Sequence, residues 1–180
     1  DLAAGADSRP VQPRIPPPEL ARQVDFETPL ELAEQVAFSS RAAAEGFVAG
    51  LAAVNLVCTE LRVTLFAEQG GRSERVWLHP ACFDATAVVD RVRWQLQAAA
   101  GQTIGSPLGR VRLEPVAVDA IPHHAPGLFG PGGDEKVHHV LSRVQAMLGH
   151  EGVVIPAIGG GRGLDERQVL VPWGDRPVLS

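Results

Sequence analysis

The chain has 180 residues, of which 45% are hydrophobic and 21% charged; these values exclude wholesale disorder and leave enough apolar side chains for a core. Its 16 basic and 21 acidic residues give a formal net charge of −5, which excludes a domain that binds nucleic acid over its whole surface. Any contact with nucleic acid must therefore be confined to one face.

The N-terminal part of the sequence predicts a linker, a strand and a long helix. Residues 1–21 are rich in proline, which fixes φ and donates no backbone hydrogen bond, and they are predicted to be extended. A domain spanning residues 22–121 is predicted to begin with a short strand, in which Val24 and Phe26 alternate with polar residues. Thr28–Glu31 then has the pattern of a capping box with proline at the first helical position, and predicts a helix that continues to Asn55.

The middle of the domain predicts a β-hairpin. Alternating residues indicate strands at Thr59–Phe66 and Arg75–His79, joined by the glycine-containing turn Gln69–Arg72. The side chains expected to face inward from these two strands are Leu61, Val63, Leu65, Val76 and Leu78.

A second helix and a last strand complete the predicted domain. Asp84 is a predicted N-cap, and Trp94 falls away from the apolar stripe of the helix that begins there. That stripe consists of Val88, Val92, Leu96 and Ala99. The last strand, Gly109–Val118, is expected to turn Val111 and Leu113 inward.

The predicted order of strand, helix, strand, strand, helix and strand is typical of the split βαβ, ferredoxin-like arrangement. We therefore predict an α+β domain whose four-stranded antiparallel sheet carries both helices on one face. Residues 122–180 are predicted to form a C-terminal extension with a Pro- and Gly-rich loop, a helix between Asp134 and Gly149, and two short apolar stretches. The apolar face of the extension's helix is expected to contain Val137, Val140, Leu141, Val144 and Leu148.

The sheet face turned away from the helices is the predicted binding surface. Guanidinium groups fork onto phosphate oxygens, so arginines on such a face can hold a nucleic-acid backbone without reading its sequence. Alternation places six basic or aromatic side chains there: Arg62, Arg75, Trp77, His79, Arg110 and Arg112. Glu60 and Glu114 share the face, and Asp25 and Glu27 of the first strand are further candidates for it, so its formal charge nearly cancels; a solvated surface with cross-strand ion pairs is the alternative interpretation.

Other chemistries find less support in the sequence. An RNA-recognition motif would place several aromatic residues on the central strands, where only Trp77 is predicted. Adjacent histidines on a helix point about 100° apart, so His138 and His139 do not chelate a metal together. Cys58 and Cys82 form no CxxC motif and suit a core better than a nucleophilic site. We predict no cofactor and no metal; a ligand-binding regulatory domain of the same topology, or an enzyme using Cys82 or a histidine pair, stays open.

Short motifs resemble a known family. The approach Pro16–Leu20, the entry Phe26–Glu31 and the order of elements resemble the passage into the little finger domain of Y-family DNA polymerases. Residues 127–130, Leu141–Gly149 and Val171–Asp175 resemble the C-terminal region of ImuB-type proteins. These are catalytically inert Y-family homologues of bacterial mutasomes, here most similar to actinobacterial members, and the resemblance covers nearly the whole chain.

The resemblance implies a non-catalytic scaffold in SOS mutagenesis and translesion DNA synthesis. Such a scaffold bridges the sliding clamp and an error-prone C-family DNA polymerase, and contacts a RecA-like accessory protein. No polymerase activity is implied, because the Mg²⁺-binding palm carboxylates of the family lie upstream of the little finger. The implied location is the bacterial cytoplasm near the nucleoid, without membrane attachment, since no apolar run approaches about 18 residues. The implied contacts to the DNA backbone come from Arg62, Arg75, Trp77, Arg110 and Arg112.

The resemblance also implies a clamp-binding site at Gly127, Leu128, Phe129 and Gly130. Clamp-binding motifs of the family resemble Gln-Leu-x-Leu-Phe, and Leu128-Phe129 stands where the apolar anchor pair would be. The motif's Gln aligns with Ala125, so its polar contact is missing. The alternatives are that the Leu-Phe pair folds back onto the domain, or that residues 168–173, which contain a Gln and a Trp, serve instead. Because the chain starts at Asp1 rather than Met, we expect a fragment of a longer protein or a processed chain.

Overall fold

The computed structural model describes residues 18–100, 104–121, 133–158 and 168–175. Two short 3₁₀ helices, Pro18–Leu20 and His150–Gly152, accompany the regular elements. In chain order those elements are β1 Arg22–Leu30, α1 Ala33–Ser39, α2 Arg41–Ala52, β2 Leu56–Ala67, β3 Arg72–Leu78, α3 Ala85–Ala99, β4 Leu108–Ala120, α4 Gly133–Leu148, β5 Val154–Ile158 and β6 Gln168–Pro172.

The four-stranded antiparallel sheet of the predicted α+β fold is confirmed. Its strand order is β1-β4-β2-β3, so that β4 and β2 are central and β1 and β3 form the edges. Helices α2 and α3 pack on one face of this sheet. Phe47 of α2 and Val88 and Val92 of α3 are fully buried in one cluster with the inward residues of β2 and β4, as the helical stripes predicted.

The predicted start of the first helix is wrong. Thr28, Pro29 and Leu30 belong to β1, because Leu30 still pairs with Leu108 of β4 beyond an irregularity in the ladder. The helix begins after Leu32, which provides no side-chain cap. It is also interrupted at Ser40, whose ψ of −9° separates α1 from α2. Pairing with β4 therefore overrides the local capping pattern.

The second predicted helix is confirmed as α3. The Asp84 carboxylate accepts a hydrogen bond of 2.7 Å from the Ala87 backbone N–H, as expected of an N-cap. Trp94 lies off the apolar stripe, yet it is only 6% exposed. A further layer of the protein must therefore cover this side of α3.

That layer is the C-terminal module, by which we mean residues 133–158 and 168–175. Helix α4 ends at Leu148 and is followed by Gly149, whose φ of +88° suits glycine; β5 pairs with β6 in an antiparallel hairpin. The predicted burial of α4's apolar face is only partly correct, because Val137, Val140 and Leu148 are each more than half exposed. Among the described side chains of this helix, Gln145 is instead the one that is fully buried. Among the described helices, none has the length and apolar composition needed to cross a bilayer.

Candidate nucleic-acid interface

The outer face is the sheet surface turned away from α1, α2 and α3. The strand register arranges its side chains in cross-strand rows, because residues that pair directly project to the same side. From β1 towards β3, the rows are Asp25, Arg110, Phe66 and Arg72; then Gln23, Arg112, Thr64 and Glu74; then Glu114, Arg62 and Val76; with Glu60 opposite Leu78.

Three of the predicted DNA-binding residues lie on the outer face, and two do not. Arg62, Arg110 and Arg112 project outward, as the alternation of β2 and β4 predicted. The predicted position of Arg75 and Trp77 is wrong. They pair with Val63 and Leu61 and therefore point to the helix side of the sheet. Trp77 is 1% exposed and cannot meet DNA from this position.

The hairpin register explains this error. The Ala67 N–H donates to the Gly71 carbonyl at 2.8 Å, and Gly70 adopts a φ of +87° in the turn. This turn pairs Phe66 with Arg72, and the pairing determines which face of the sheet each later residue of β3 points to. Apolar residues occupy both even-numbered and odd-numbered positions of β3, so alternation alone does not show whether Val76 or Trp77 faces the helices. The larger apolar surface of Trp77 is the one buried.

The polar end of Trp77 is satisfied from α3. Its indole N–H donates to the Gln95 side-chain oxygen at 3.0 Å. The amide nitrogen of Gln95 in turn donates to the Val63 carbonyl at 3.0 Å and to the Ser73 carbonyl at 3.1 Å. A buried tryptophan at this position is therefore compatible with an edge strand, because none of these polar groups is left without a partner.

Arg75 is tolerated on the helix side because the C-terminal module supplies its partners. Its guanidinium carbon lies 3.8 Å from the centre of the Trp77 ring. Its Nη2 lies 3.3 Å from an Asp175 carboxylate oxygen and 3.3 Å from His150 Nε2. The imidazole of His150 is itself 2.9 Å from Asp175 and stands edge-on to Trp77. These contacts are 75 and 100 residues apart in sequence, so local patterning carries no signal for them.

Arg91 of α3 is a second cation in this cluster. It is only 4% exposed and lies near the rings of Trp94, Phe83 and Trp77 at 4.6 to 5.8 Å. Burial lowers the pKa of Arg91 to about 10, so it stays protonated at neutral pH. The charges of Asp90 and, to a smaller extent, Asp175 act in the opposite direction and favour the cation. The burial of Trp94 does not follow from the apolar stripe of α3; it results from the C-terminal module, whose His150 ring lies 5.6 Å from the Trp94 ring.

The outer face, by contrast, is open to solvent. The side chains of its four arginines are between 38% and 59% exposed. Arg72 and Phe66 were not predicted as part of the site, although Arg72 pairs directly with Phe66 across the hairpin. The guanidinium groups of Arg72 and Arg110 lie 5.6 and 5.8 Å from the centre of the Phe66 ring. Counting outward from the Gly70 turn is the signal that would have found Arg72.

The acidic residues of the outer face pair with its arginines. Asp25 binds Arg110, and Glu74 binds Arg72 and lies 3.7 Å from Arg62. Glu114 contacts Arg112 at 3.0 Å. A hydrogen bond from Gln23, together with a smaller effect of one from Arg110, holds the pKa of Asp25 below its usual value. With Glu60, the cross-strand rows given above contain four arginines and four carboxylates, so the formal charges of these rows cancel.

The remaining candidate sites show no reactive arrangement among the described residues. Cys58 is fully buried and donates to the Glu60 carbonyl at 3.1 Å, and burial raises the pKa of its thiol, which favours the unreactive form. In the part of the chain that the structure describes, no three His, Cys, Asp or Glu side chains are arranged to hold a metal ion. The clamp-motif residues 127–130 lie outside the described residues. In the alternative segment 168–173, Val171 and Trp173 are 7% and 4% exposed, so its aromatic anchor is already buried within the C-terminal module.

The fold and the outer face together define an α+β domain with one helix-covered and one arginine-bearing sheet face.

No family model and no curated protein matches the sequence. Among solved structures, the chain is similar to the little finger domain of PolIV in a complex with the beta-clamp processivity factor, with a TM-score of 0.46, 12% identity, and coverage of 52% of this chain and 83% of that one. It is also similar to a Dbh ternary complex, with a TM-score of 0.43, 9% identity, and coverage of 52% of this chain and 27% of that one. The insertion ternary complex of Dbh DNA polymerase gives a TM-score of 0.44 at 10% identity, with coverage of 55% and 28%. The chain thus spans about a quarter of the length of those two Dbh chains.

Proposed function

We propose that this chain is a non-catalytic, DNA-binding scaffold fragment of a Y-family polymerase-like protein of the ImuB type. It acts in SOS mutagenesis and translesion DNA synthesis, in the bacterial cytoplasm near the nucleoid. The observation that carries the proposal is the outer face, where four arginines from three strands share one open sheet surface in a chain of net charge −5. The motifs that resemble ImuB-type proteins, which are catalytically inert, support a fragment without polymerase activity, since these motifs belong to the little finger domain and to the C-terminal region that follows it.

The outer face suits a phosphate backbone rather than base edges. Guanidinium groups bind phosphate oxygens through two parallel N–H donors, whereas base reading needs groups that reach into a groove. Because the formal charges of the face cancel, binding should be weak and strongly dependent on salt. Such weak binding is sufficient for a scaffold whose affinity for DNA comes mostly from its partner proteins.

Removal of two outer-face arginines tests the DNA-binding part of the proposal. Arg62→Ala combined with Arg112→Ala is expected to weaken binding to primer-template DNA at low salt by about tenfold, and to reduce the salt slope by about 2, because two phosphate contacts are lost. Fluorescence anisotropy over a series of salt concentrations measures both quantities.

The matched control removes two exposed arginines from helices. Arg41→Ala combined with Arg143→Ala changes the net charge equally but leaves the outer face intact. If both double variants weaken DNA binding to the same extent, the outer face is not the interface. Absence of binding by the unmodified chain at low salt would contradict the proposal altogether.

The scaffold part of the proposal needs a sliding-clamp contact. We place it at Gly127–Gly130, with Leu128 and Phe129 as apolar anchors, and expect further contacts with a RecA-like accessory protein and an error-prone C-family polymerase. Phe129→Ala is expected to abolish capture of the chain by immobilised sliding clamp, because a truncated aromatic anchor removes most of the energy of a short motif. Trp173→Phe, which keeps a buried aromatic ring, is the control. Undiminished capture of Phe129→Ala would move the clamp site elsewhere.

A groove supports the regulatory-domain alternative. It lies between the start of α1, the end of α3 and the start of β4, has a volume of about 400 Å³, and is lined chiefly by apolar residues such as Leu32, Leu96 and Ile104. Such a groove suits a small apolar ligand. Thermal shifts with a metabolite set, lost on Leu96→Gln, would favour that function over the scaffold.

A further inference from the structure

Every arginine of the outer face lies close to a carboxylate of the same face. Arg110 binds Asp25, Arg72 binds Glu74, and the remaining two pairs are Arg62 with Glu74 and Arg112 with Glu114. Any role of these pairs in DNA binding rests on the proposed function, because they lie on the surface for which we propose that binding.

The sheet register sets these pairs. Asp25 is the direct cross-strand partner of Arg110. Glu114 lies two residues beyond Arg112, and Glu74 two residues beyond Arg72, so each carboxylate projects from the same side of its strand as its arginine. The pairs therefore form without a large loss of side-chain freedom, because the backbone already brings the charges together.

Neighbouring polar groups hold the carboxylates in place. The Gln23 amide donates to Asp25 at 2.8 Å, and the Thr64 hydroxyl donates to Glu74 at 3.4 Å. Glu74 is the most connected of the three, because it also contacts two arginines from different strands. Arg62 Nε lies 3.7 Å from Glu74; this nitrogen is buried and has no hydrogen-bond partner among the described residues, so the contact of Arg62 with Glu74 is electrostatic.

Carboxylate and phosphate oxygens use the same guanidinium donors. A phosphate that approaches the outer face must displace a carboxylate or bind beside one, and both alternatives cost free energy because like charges repel. We propose that Asp25, Glu74 and Glu114 compete with DNA phosphates for these arginines and thereby hold the intrinsic DNA affinity of the outer face low. Glu74, which contacts two of the four arginines, makes the largest contribution.

Neutralisation of Glu74 tests this inference. Glu74→Gln keeps the shape of the side chain but releases Arg62 and Arg72, so primer-template DNA is expected to bind about fivefold more tightly, with a salt slope steeper by about 1 to 2. Glu114→Gln, which releases one arginine, is expected to give a smaller gain. Anisotropy titrations at several salt concentrations measure both effects.

The matched control is Glu45→Gln in α2. It changes the net charge by the same amount and also releases an arginine, Arg41, but on the helix layer. A gain for Glu74→Gln and Glu114→Gln but not for Glu45→Gln supports the competition. Equal gains for all three would reduce the effect to net charge and overturn it.

The inference and the proposed function fail in different ways. Suppose that the unmodified chain binds DNA, that the double variant Arg62→Ala and Arg112→Ala binds it less tightly, and that Glu74→Gln binds it no more tightly. The proposed competition is then wrong, and the proposed function stands. If neither the unmodified chain nor Glu74→Gln binds DNA at any salt concentration, both are wrong. Circular dichroism checks that each exposed substitution leaves the fold intact.

Discussion

Replacement of Trp77 by alanine is expected to lower the free energy of unfolding by about 3–5 kcal/mol, the usual cost of deleting a large buried aromatic side chain. Trp77 is 1% exposed and contacts Trp94 and His150 with its ring. Its loss also removes the indole donor from Gln95 and the ring beneath Arg75. Urea unfolding followed by far-UV circular dichroism measures the change.

The adjacent residue provides the control for this prediction. Val76 projects from the outer face and is 37% exposed, so Val76→Ala should change stability by less than about 1 kcal/mol. The two variants therefore distinguish the observed register of β3 from the one that alternation predicted. A stable Trp77→Ala variant with weakened DNA binding would restore the predicted orientation.

Replacement of Gln145 by alanine is expected to loosen the C-terminal module and to lower its free energy of unfolding by about 2–4 kcal/mol, because one buried and one partly buried carbonyl group lose their donor. The Gln145 amide nitrogen donates to the His150 carbonyl at 2.8 Å and to the Trp173 carbonyl at 2.9 Å. These bonds connect α4 to the segments on both sides of the β5–β6 hairpin. Its side-chain oxygen has no partner among the described residues, which places the cost below that of a fully satisfied amide.

Amide hydrogen exchange at Trp173 measures this release directly, because its N–H donates to the Val153 carbonyl at 2.8 Å within the module. Exchange at Trp173 should accelerate strongly in Gln145→Ala, whereas amides of β2 should change little. Met147→Ala, two residues further along α4 and 73% exposed in the parent chain, is the control. Unchanged protection of Trp173 in Gln145→Ala would show that the hairpin is held by its apolar contacts alone.

The parts of the fold that depend on neighbouring residues were predicted well. Asp84 caps α3 because its carboxylate reaches an N–H three residues away, and Leu61, Val63 and Leu65 face inward because a strand alternates with a period of two. Cys58 is a core residue, as its isolation from other cysteines indicated. Interactions of this range are encoded within a few residues of sequence.

The errors arise where two local patterns compete. The Thr28–Glu31 segment has a capping signature, but pairing of Leu30 with Leu108 keeps residues 28–30 in β1. In β3, apolar residues occupy both even-numbered and odd-numbered positions, so alternation does not show which of them are buried. The Gly70 turn sets the register and thereby determines this. The exposed apolar residues of α4 show the same limit, since among the described side chains of this helix it is the polar Gln145 that is fully buried.

The sequence by itself determined the order of elements, the inward residues of β2 and β4, and the presence of Arg62, Arg110 and Arg112 on one sheet face, because each depends on short-range periodicity. Only the tertiary structure decided that Trp77 and Arg75 contact the C-terminal module, where Asp175 and His150 supply partners from distant parts of the chain. It also decided that Arg72 joins the outer face and that its arginines are paired with carboxylates. Such contacts depend on strand register and on packing between segments far apart in sequence, and neither quantity can be read from local composition.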